Sequence, residues 1–338
     1  MTRKDFNLED SLQHAEARWC QIETDTPELA AAVTLQRSLV RRIARLTEAL
    51  EQSNWTPPDI ETTAIATTLS SSRALLHEHR VDLPTEILEP GLRDLCNILA
   101  NGGAGDAARH VDHVIQEQRL STTSLLNASL TRRQNDIRTG AIHLGLAPDL
   151  LWLVADLTVG PIAHEFQRVI LTNDGIDPKV RKTINAWNHG TCFICGSWPA
   201  LGECRDGDIT LRCSFCGAGW KLQEPACPYC LSQEIQHELP TPGQPSLQLL
   251  FCEACRGYLK VVEVNEAIPS IFLPIEDLAT TAGDVRAMER NLVRPPLPEA
   301  PLGKSIDAVC ADGPITYYRE GRTHIVASRS PVSFSTSR

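Results

Sequence analysis

Cys192-Phe193-Ile194-Cys195, Cys213-Ser214-Phe215-Cys216, Cys227-Pro228-Tyr229-Cys230 and Cys252-Glu253-Ala254-Cys255 are four Cys-x-x-Cys pairs in one short stretch. Two thiolates separated by two residues on a tight turn both reach one ion about 2.3 Å away, and two such turns complete a tetrahedron. Four pairs therefore predict two metal sites. Gly196 and Gly217 directly follow the second Cys of their pairs, where a residue without Cβ lets backbone amides approach the sulfurs. Pairing in chain order leaves 17 residues between Cys195 and Cys213 and 21 between Cys230 and Cys252, in or close to the zinc-ribbon range. Arg205-Asp206-Gly207-Asp208 and Pro240-Thr241-Pro242-Gly243 read as the turns of the two hairpins joining the knuckles. Interleaved pairing, first with third and second with fourth, stays open on spacing alone. So does the metal, because four thiolates suit zinc and mononuclear iron alike. Disulfides are the alternative that a reducing compartment disfavours. A thioredoxin-like redox motif expects one pair beside a βαβ unit.

A metal closed in by four thiolates has no open position for water or substrate, which argues against Lewis-acid catalysis. Between 188 and 264 five Lys/Arg face eight acidic residues, a balance that repels phosphate. The whole chain of 338 residues carries a formal charge of −10, which likewise argues against a protein built to grip nucleic acid. No phosphate-binding glycine loop and no Gly-x-Ser-x-Gly elbow is found. Cys204 and Cys310 are left without a role, and Cys20 and Cys96 read as small apolar residues of helices.

Upstream the pattern is helical. Leu35, Leu39, Ile43, Leu46 and Leu50 recur at steps of four and three, with Thr26-Pro27 as a start and Asn54 and Pro57-Pro58 as a stop. Similar stripes occupy 11–22, 60–79, 90–100, 121–144 and 149–171, broken at 101–105 and at Ala147-Pro148, so a bundle of six or more helices is expected. Arg37, Arg41 and Arg45 lie opposite the leucines, as a solvated face or a docking stripe for an acidic partner. His77 and His79 stand two apart, so they cannot share a metal on a helix and read as surface residues. His164-Glu165 lacks the second His of a zinc-protease helix, since position 168 is Arg168. The start of the chain has no apolar run of a secretory signal, and no stretch reaches the span of a bilayer, which predicts a cytoplasmic protein without membrane insertion.

With these motifs in order, the sequence resembles the FdhE-type formate dehydrogenase accessory (formation) proteins. The matching residues are Trp187, then 190–199 around the first pair, Leu211 to Cys216 with Trp220, the third pair, the fourth pair with Tyr258-Leu259-Lys260, and the acidic segment 274–280. Phe193 and Arg212 depart from the family's usual residues without removing a ligand, and Gly283-Asp284 interrupts the expected closing helix.

The resulting expectation is a two-part α+β chain. A helical domain spans 1–186, a tandem rubredoxin-like or zinc-ribbon metal domain 187–265, a closing segment 266–294 and a mostly disordered tail 295–338, in which Ile315-Thr316-Tyr317-Tyr318 reads as an edge strand. The resemblance implies iron at Cys192, Cys195, Cys213 and Cys216 and at Cys227, Cys230, Cys252 and Cys255, with zinc as the alternative. It also implies a non-enzymatic role, binding the catalytic subunit of a Tat-exported formate dehydrogenase. A rubredoxin-like electron carrier and a zinc-ribbon nucleic-acid binder are the other readings, and self-association is left open. Trp198, Trp220 and Tyr258 are candidate docking aromatics, with support of the small ribbons as the alternative.

Overall fold

Twenty-three residues of leucine-rich, proline-free sequence form the longest early helix, α2 (Ala30–Gln52). It is preceded by α1 (Leu8–Asp25) and a 3₁₀ turn (Pro27–Leu29), so Pro27 opens the turn rather than the α-helix itself. The computed structural model describes residues 8–172, 177–238, 240, 244, 246–298, 315–319 and 322–326. The helical series continues with α3 (Thr62–Ser70), α4 (Leu75–Glu78), α5 (Thr85–Leu99), α6 (Gly105–Gln116), α7 (Thr122–Leu130), α8 (Gln134–Leu144), α9 (Pro148–Thr172) and α10 (Pro178–Asn185). Leu46 and Leu50 of the α2 stripe are buried, whereas Leu35, Leu39 and Ile43 are only half-buried and Val33, Val40 and Ala44 join the core. The face is rotated slightly from the one the leucines define.

Arg37 and Arg41 do not form a docking stripe. Arg37 pairs with Glu16 at 2.9 Å and Glu23 at 3.2 Å, Arg41 with Glu16 at 3.0 Å, and the Arg37 guanidinium lies over the Trp19 ring of α1. The row thus holds α1 onto α2. The run 121–144, expected as one helix, breaks between α7 and α8, where Arg132 takes a left-handed φ of 59° and turns its side chain into the core.

The second part is one six-stranded mixed sheet. Strands β1 (Leu201–Arg205), β2 (Asp208–Arg212), β3 (Gly219–Trp220), β4 (Ile235–Glu238), β5 (Leu247–Cys252) and β6 (Tyr258–Glu263) lie in the order β3-β2-β1-β6-β5-β4. The two ribbons are therefore fused edge to edge by the parallel β1–β6 pair, with Gly202 opposite Val261 and Glu203 opposite Val262. Asp206 (φ 51°) and Gly207 (φ 86°) make the β1–β2 turn, as the Asp-Gly dipeptide predicts. Of the other predicted turn, 241–243 lie outside the described residues.

Beyond the sheet, α11 (Leu273–Ala279) and α12 (Thr281–Glu289) close the fold. Gly283-Asp284 does not prevent a helix. Strands β7 (Ile315–Arg319) and β8 (Arg322–Val326) pair antiparallel with each other, so 315–318 belong to a separate hairpin instead of the edge of the main sheet. The rest of the predicted disordered tail from 299 onward, Cys310 included, lies outside the described residues. Among the described residues, no helix is long and apolar enough to cross a membrane.

The main buried cluster is continuous from the helices into the first ribbon. It holds Leu75, Leu92, Val154 and Phe166 together with Cys192, Phe193, Ile194, Cys213 and Phe215. Helix α4 makes the seam: the Leu75 amide donates to the Phe193 carbonyl at 3.0 Å and the Leu76 amide to the Ile194 carbonyl at 2.8 Å. A helix N-terminus leaves such amides unpaired, and the first knuckle supplies the acceptors.

Candidate metal centres

All four Cys-x-x-Cys pairs adopt one backbone turn. The amide four residues after the first Cys donates to that Cys carbonyl in each case: Gly196 to Cys192 at 2.8 Å, Gly217 to Cys213 at 2.9 Å, Leu231 to Cys227 at 2.9 Å and Arg256 to Cys252 at 3.0 Å. Each of these donors has a left-handed φ, of 80°, 77°, 60° and 61° respectively. Glycine occupies the position only in the first ribbon. There a Cβ would meet the His77 ring at 2.5 Å from position 196 and the Ser270 hydroxyl at 2.2 Å from position 217.

The thiols gather in chain order rather than interleaved. Cys192, Cys195, Cys213 and Cys216 form one group, and Cys227, Cys230, Cys252 and Cys255 the other, with all sulfurs of a group within 4.8 Å of one another. Cys192 and Cys216 stand 3.4 Å apart and Cys195 and Cys213 3.5 Å, while both closest pairs of the second group stand 3.6 Å apart. Four sulfurs at about 2.3 Å from a central ion stand near 3.8 Å from each other, so each group needs only a small expansion to hold one. Amides of Tyr229 and Gly257 donate to Cys227 and Cys255 sulfur at 3.4 Å, the bonds that a thiolate bound to a metal accepts. Both groups can thus hold a metal ion.

Their surroundings differ. Every thiol of the first group is buried, whereas Cys230 is exposed and Cys255 half-buried in the second. Burial pushes the Cys192 and Cys216 thiols well above the ordinary cysteine range. Burial acts equally on Cys195, yet hydrogen bonds from its neighbours and the Arg132 guanidinium hold it well below that range. Arg132 is the buried cation of this site, bonded to Asp156 and lying 4.0 Å over the Phe215 ring of the second knuckle. Asp156 in turn accepts from Ser129 at 2.8 Å.

Two histidines also reach the first group. His77 packs on Gly196 and is half-buried, and burial lowers its pKa. His79 is half-buried as well, 3.2 Å from the Thr68 hydroxyl, so neither is the surface residue that its spacing suggests. His164, from α9, is pushed down to about 4 by burial, which outweighs its hydrogen bonds to the backbone at Ser214 and Phe215. These neighbours come from elements far away in sequence, and no spacing rule marks them.

Arg212 ion-pairs with the buried Glu203, whose carboxylate also accepts from the Ile268 amide at 2.8 Å. The aromatics act as supports: Trp220 and Tyr258 are buried, with Trp220 Nε1 donating to His189 O at 3.0 Å and the Tyr258 hydroxyl to Asp284 at 2.8 Å. Trp198 is half-buried, donates to the Pro296 carbonyl and meets the Tyr229 ring edge-on at 5.5 Å. Docking through Trp220 or Tyr258 is thereby excluded.

No family model matches the sequence, and no curated protein matches it either. Among solved structures, the crystal structure of the FdhE protein from Pseudomonas aeruginosa is similar over 89% of this chain and 95% of that one, with a TM-score of 0.52 and 17% sequence identity. The chain shares the FdhE fold. The two-part α+β class expected from the four pairs and the helical stripes is the one found, with a helical part followed by a mixed sheet carrying two four-cysteine clusters.

Proposed function

We propose that the protein is a non-enzymatic maturation factor that binds the catalytic subunit of a formate dehydrogenase in the cytoplasm before export, with one iron in each four-thiolate site. The observation carrying this reading is the pair of closed four-sulfur groups set in an FdhE-like fold. A closed tetrahedron leaves no coordination position for a reacting molecule, so the sites hold surfaces in place or pass electrons.

The test is purification without oxygen, elemental analysis with a visible spectrum, and capture of the catalytic subunit by the tagged chain. About two irons per chain with thiolate-to-iron charge-transfer bands, together with capture, support the proposal. Two zincs and a colourless solution would replace iron by zinc while leaving capture as the measure of function.

A second reading, a rubredoxin-like electron carrier, is favoured by one feature: Cys230 exposes its site to solvent and to a redox partner. Reversible one-electron reduction of the second site, with no capture of the subunit, would select it.

A further inference from the structure

A cleft of about 1120 Å³ opens beside the shared core, between the bundle, the knuckles and the closing helices. One wall is α2, through Val40, Ile43, Ala44 and Leu50; another is α9, through Leu153, Leu157, Gly160 and Pro161; Trp198 and Phe215 reach it from the knuckles. Val40, Ala44, Leu50 and Pro161 are buried along these walls, whereas Ile43, Leu157 and Gly160 are half-buried and Leu153 is 40% exposed, so the apolar stripes are only partly covered here.

Three observations fix what fits there. First, the charges around the cleft are committed to one another: Asp156 to Arg132, Glu165 to Arg168, Arg212 to Glu203, and Asp277 and Asp284 to Lys260 and Arg294. Among the described lining residues, the exposed Glu51 alone of the Asp, Glu, Lys and Arg stands outside these pairs, and its field falls on Arg168. A charged ligand would be desolvated against the apolar walls without a countercharge. Second, Pro161, which has no N–H to give the Leu157 carbonyl, and Leu157 both line the cleft. Third, the lining runs from Gln36 to Glu51 on α2 and from Leu153 to Arg168 on α9, about 22 Å at 1.5 Å per residue. That length takes about seven residues of extended chain.

We infer that this cleft is a binding site for an extended, uncharged, apolar peptide segment of about seven residues, supplied by an incompletely folded client polypeptide. The inference rests on the maturation-factor reading only for the source of the peptide. A Cβ at Gly160 meets no atom within 4 Å, so Gly160→Leu starts its side chain in open space of the cleft, and on a helix it also replaces the poorer helix former.

The test titrates the full, metal-loaded chain with an end-blocked, dye-labelled heptapeptide of alanine, valine and leucine, read by fluorescence anisotropy. Saturable binding is expected, about tenfold weaker or more for the same peptide carrying two lysines or two glutamates at its centre, and weakened as much by Gly160→Leu. Metal content and circular dichroism are expected to be unchanged in Gly160→Leu, which separates a blocked cleft from a misfolded chain. Equal binding of the charged peptides, or parental binding by Gly160→Leu, would overturn the inference. So would a concentration-dependent dimer dissolved by Gly160→Leu, which would assign the cleft to a second copy. If parent and Gly160→Leu both capture the formate dehydrogenase subunit and neither binds the heptapeptide, the cleft inference fails and the maturation reading stands. If the heptapeptide binds, Gly160→Leu blocks it, and neither chain captures the subunit, the cleft stands and that reading fails.

Discussion

Cys230 and Cys195 occupy equivalent places in two like backbone turns, yet one is exposed and the other lies in the main core. Metal loss requires a competing ligand or proton to reach a sulfur, so the two sites are predicted to empty at different rates. A chelator should remove about one metal equivalent quickly and the second only as the chain unfolds; a single-rate loss of both would contradict this. Cys230→Ser should abolish the fast phase alone, while Cys192→Ser should lose about one equivalent and destabilise the fold, and Cys204→Ser should leave metal content unchanged. Charge pairs away from the sulfurs give a second prediction. Glu203 and Arg212 are both buried, so Arg212→Met leaves a carboxylate without its cation and should cost about 3–5 kcal/mol in urea unfolding. A third prediction concerns acid. Burial alone would raise the Asp277 carboxyl, but Lys260 and Arg294 hold it below the ordinary value. A depressed folded pKa contributes stability that is full above the unfolded carboxylate pKa of about 4 and declines as pH falls below it toward the folded value. Asp277→Asn should therefore flatten the pH dependence of stability below about pH 4, and an unchanged acid limb would contradict the assignment.

Among the α-helices of the described residues, α4 is the shortest and sits at the seam. Its one turn buries Leu75 and Leu76 and gives two amides to the first knuckle. Leu76→Ala should leave a cavity costing about 2–5 kcal/mol, and because the same turn braces Cys192–Cys195, the slow metal site should become chelator-accessible in the native state. Stability lost without any change in metal exchange would separate packing from bracing. The sequence does not announce this element, since a four-residue helix has too few turns to display a period. Longer stripes were legible: α2 and α9 follow from the spacing of their apolar residues. The break between α7 and α8 was not, because it depends on Arg132 entering the left-handed region to reach Asp156, a tertiary demand written 24 residues away. Gly283 shows the converse. Read locally it interrupts a helix, whereas in place it lets α12 approach β5 and β6, where a Cβ would stand 3.1 Å from Leu247 and 3.3 Å from Lys260. Beside it Asp284 takes the buried Lys260 ammonium at 2.7 Å.

At the scale of the molecule, the eight thiols were legible because metal-ligand spacing is a local property. Their chain-order grouping was favoured by the spacings and the two hairpin turns but not fixed by them, whereas the Arg132, His77 and His164 surroundings of the first group depend on how the helices meet the sheet. That meeting decides the last prediction. Phe193, Ile194 and Phe215 are buried in the same cluster as Leu75, Leu92 and Phe166, so removing the ribbons uncovers a large apolar face of the bundle. Residues 8–186 produced alone should therefore lack a cooperative thermal transition or associate through that face, even though every predicted helix is present. In the intact chain, emptying the exposed second site should move the main transition less, because that ribbon contributes fewer residues to the shared cluster, Leu250, Leu259 and Val261, than the first does. Emptying the buried first site should lower the transition of the helices themselves. Calorimetry of chains with neither, one or both sites filled distinguishes this from two independently melting parts, for which the helical transition would be indifferent to metal. Coupling of that kind would make filling of the first site a condition for the cleft between α2 and α9 to exist, since Phe215 and Trp198 close it from the ribbon side.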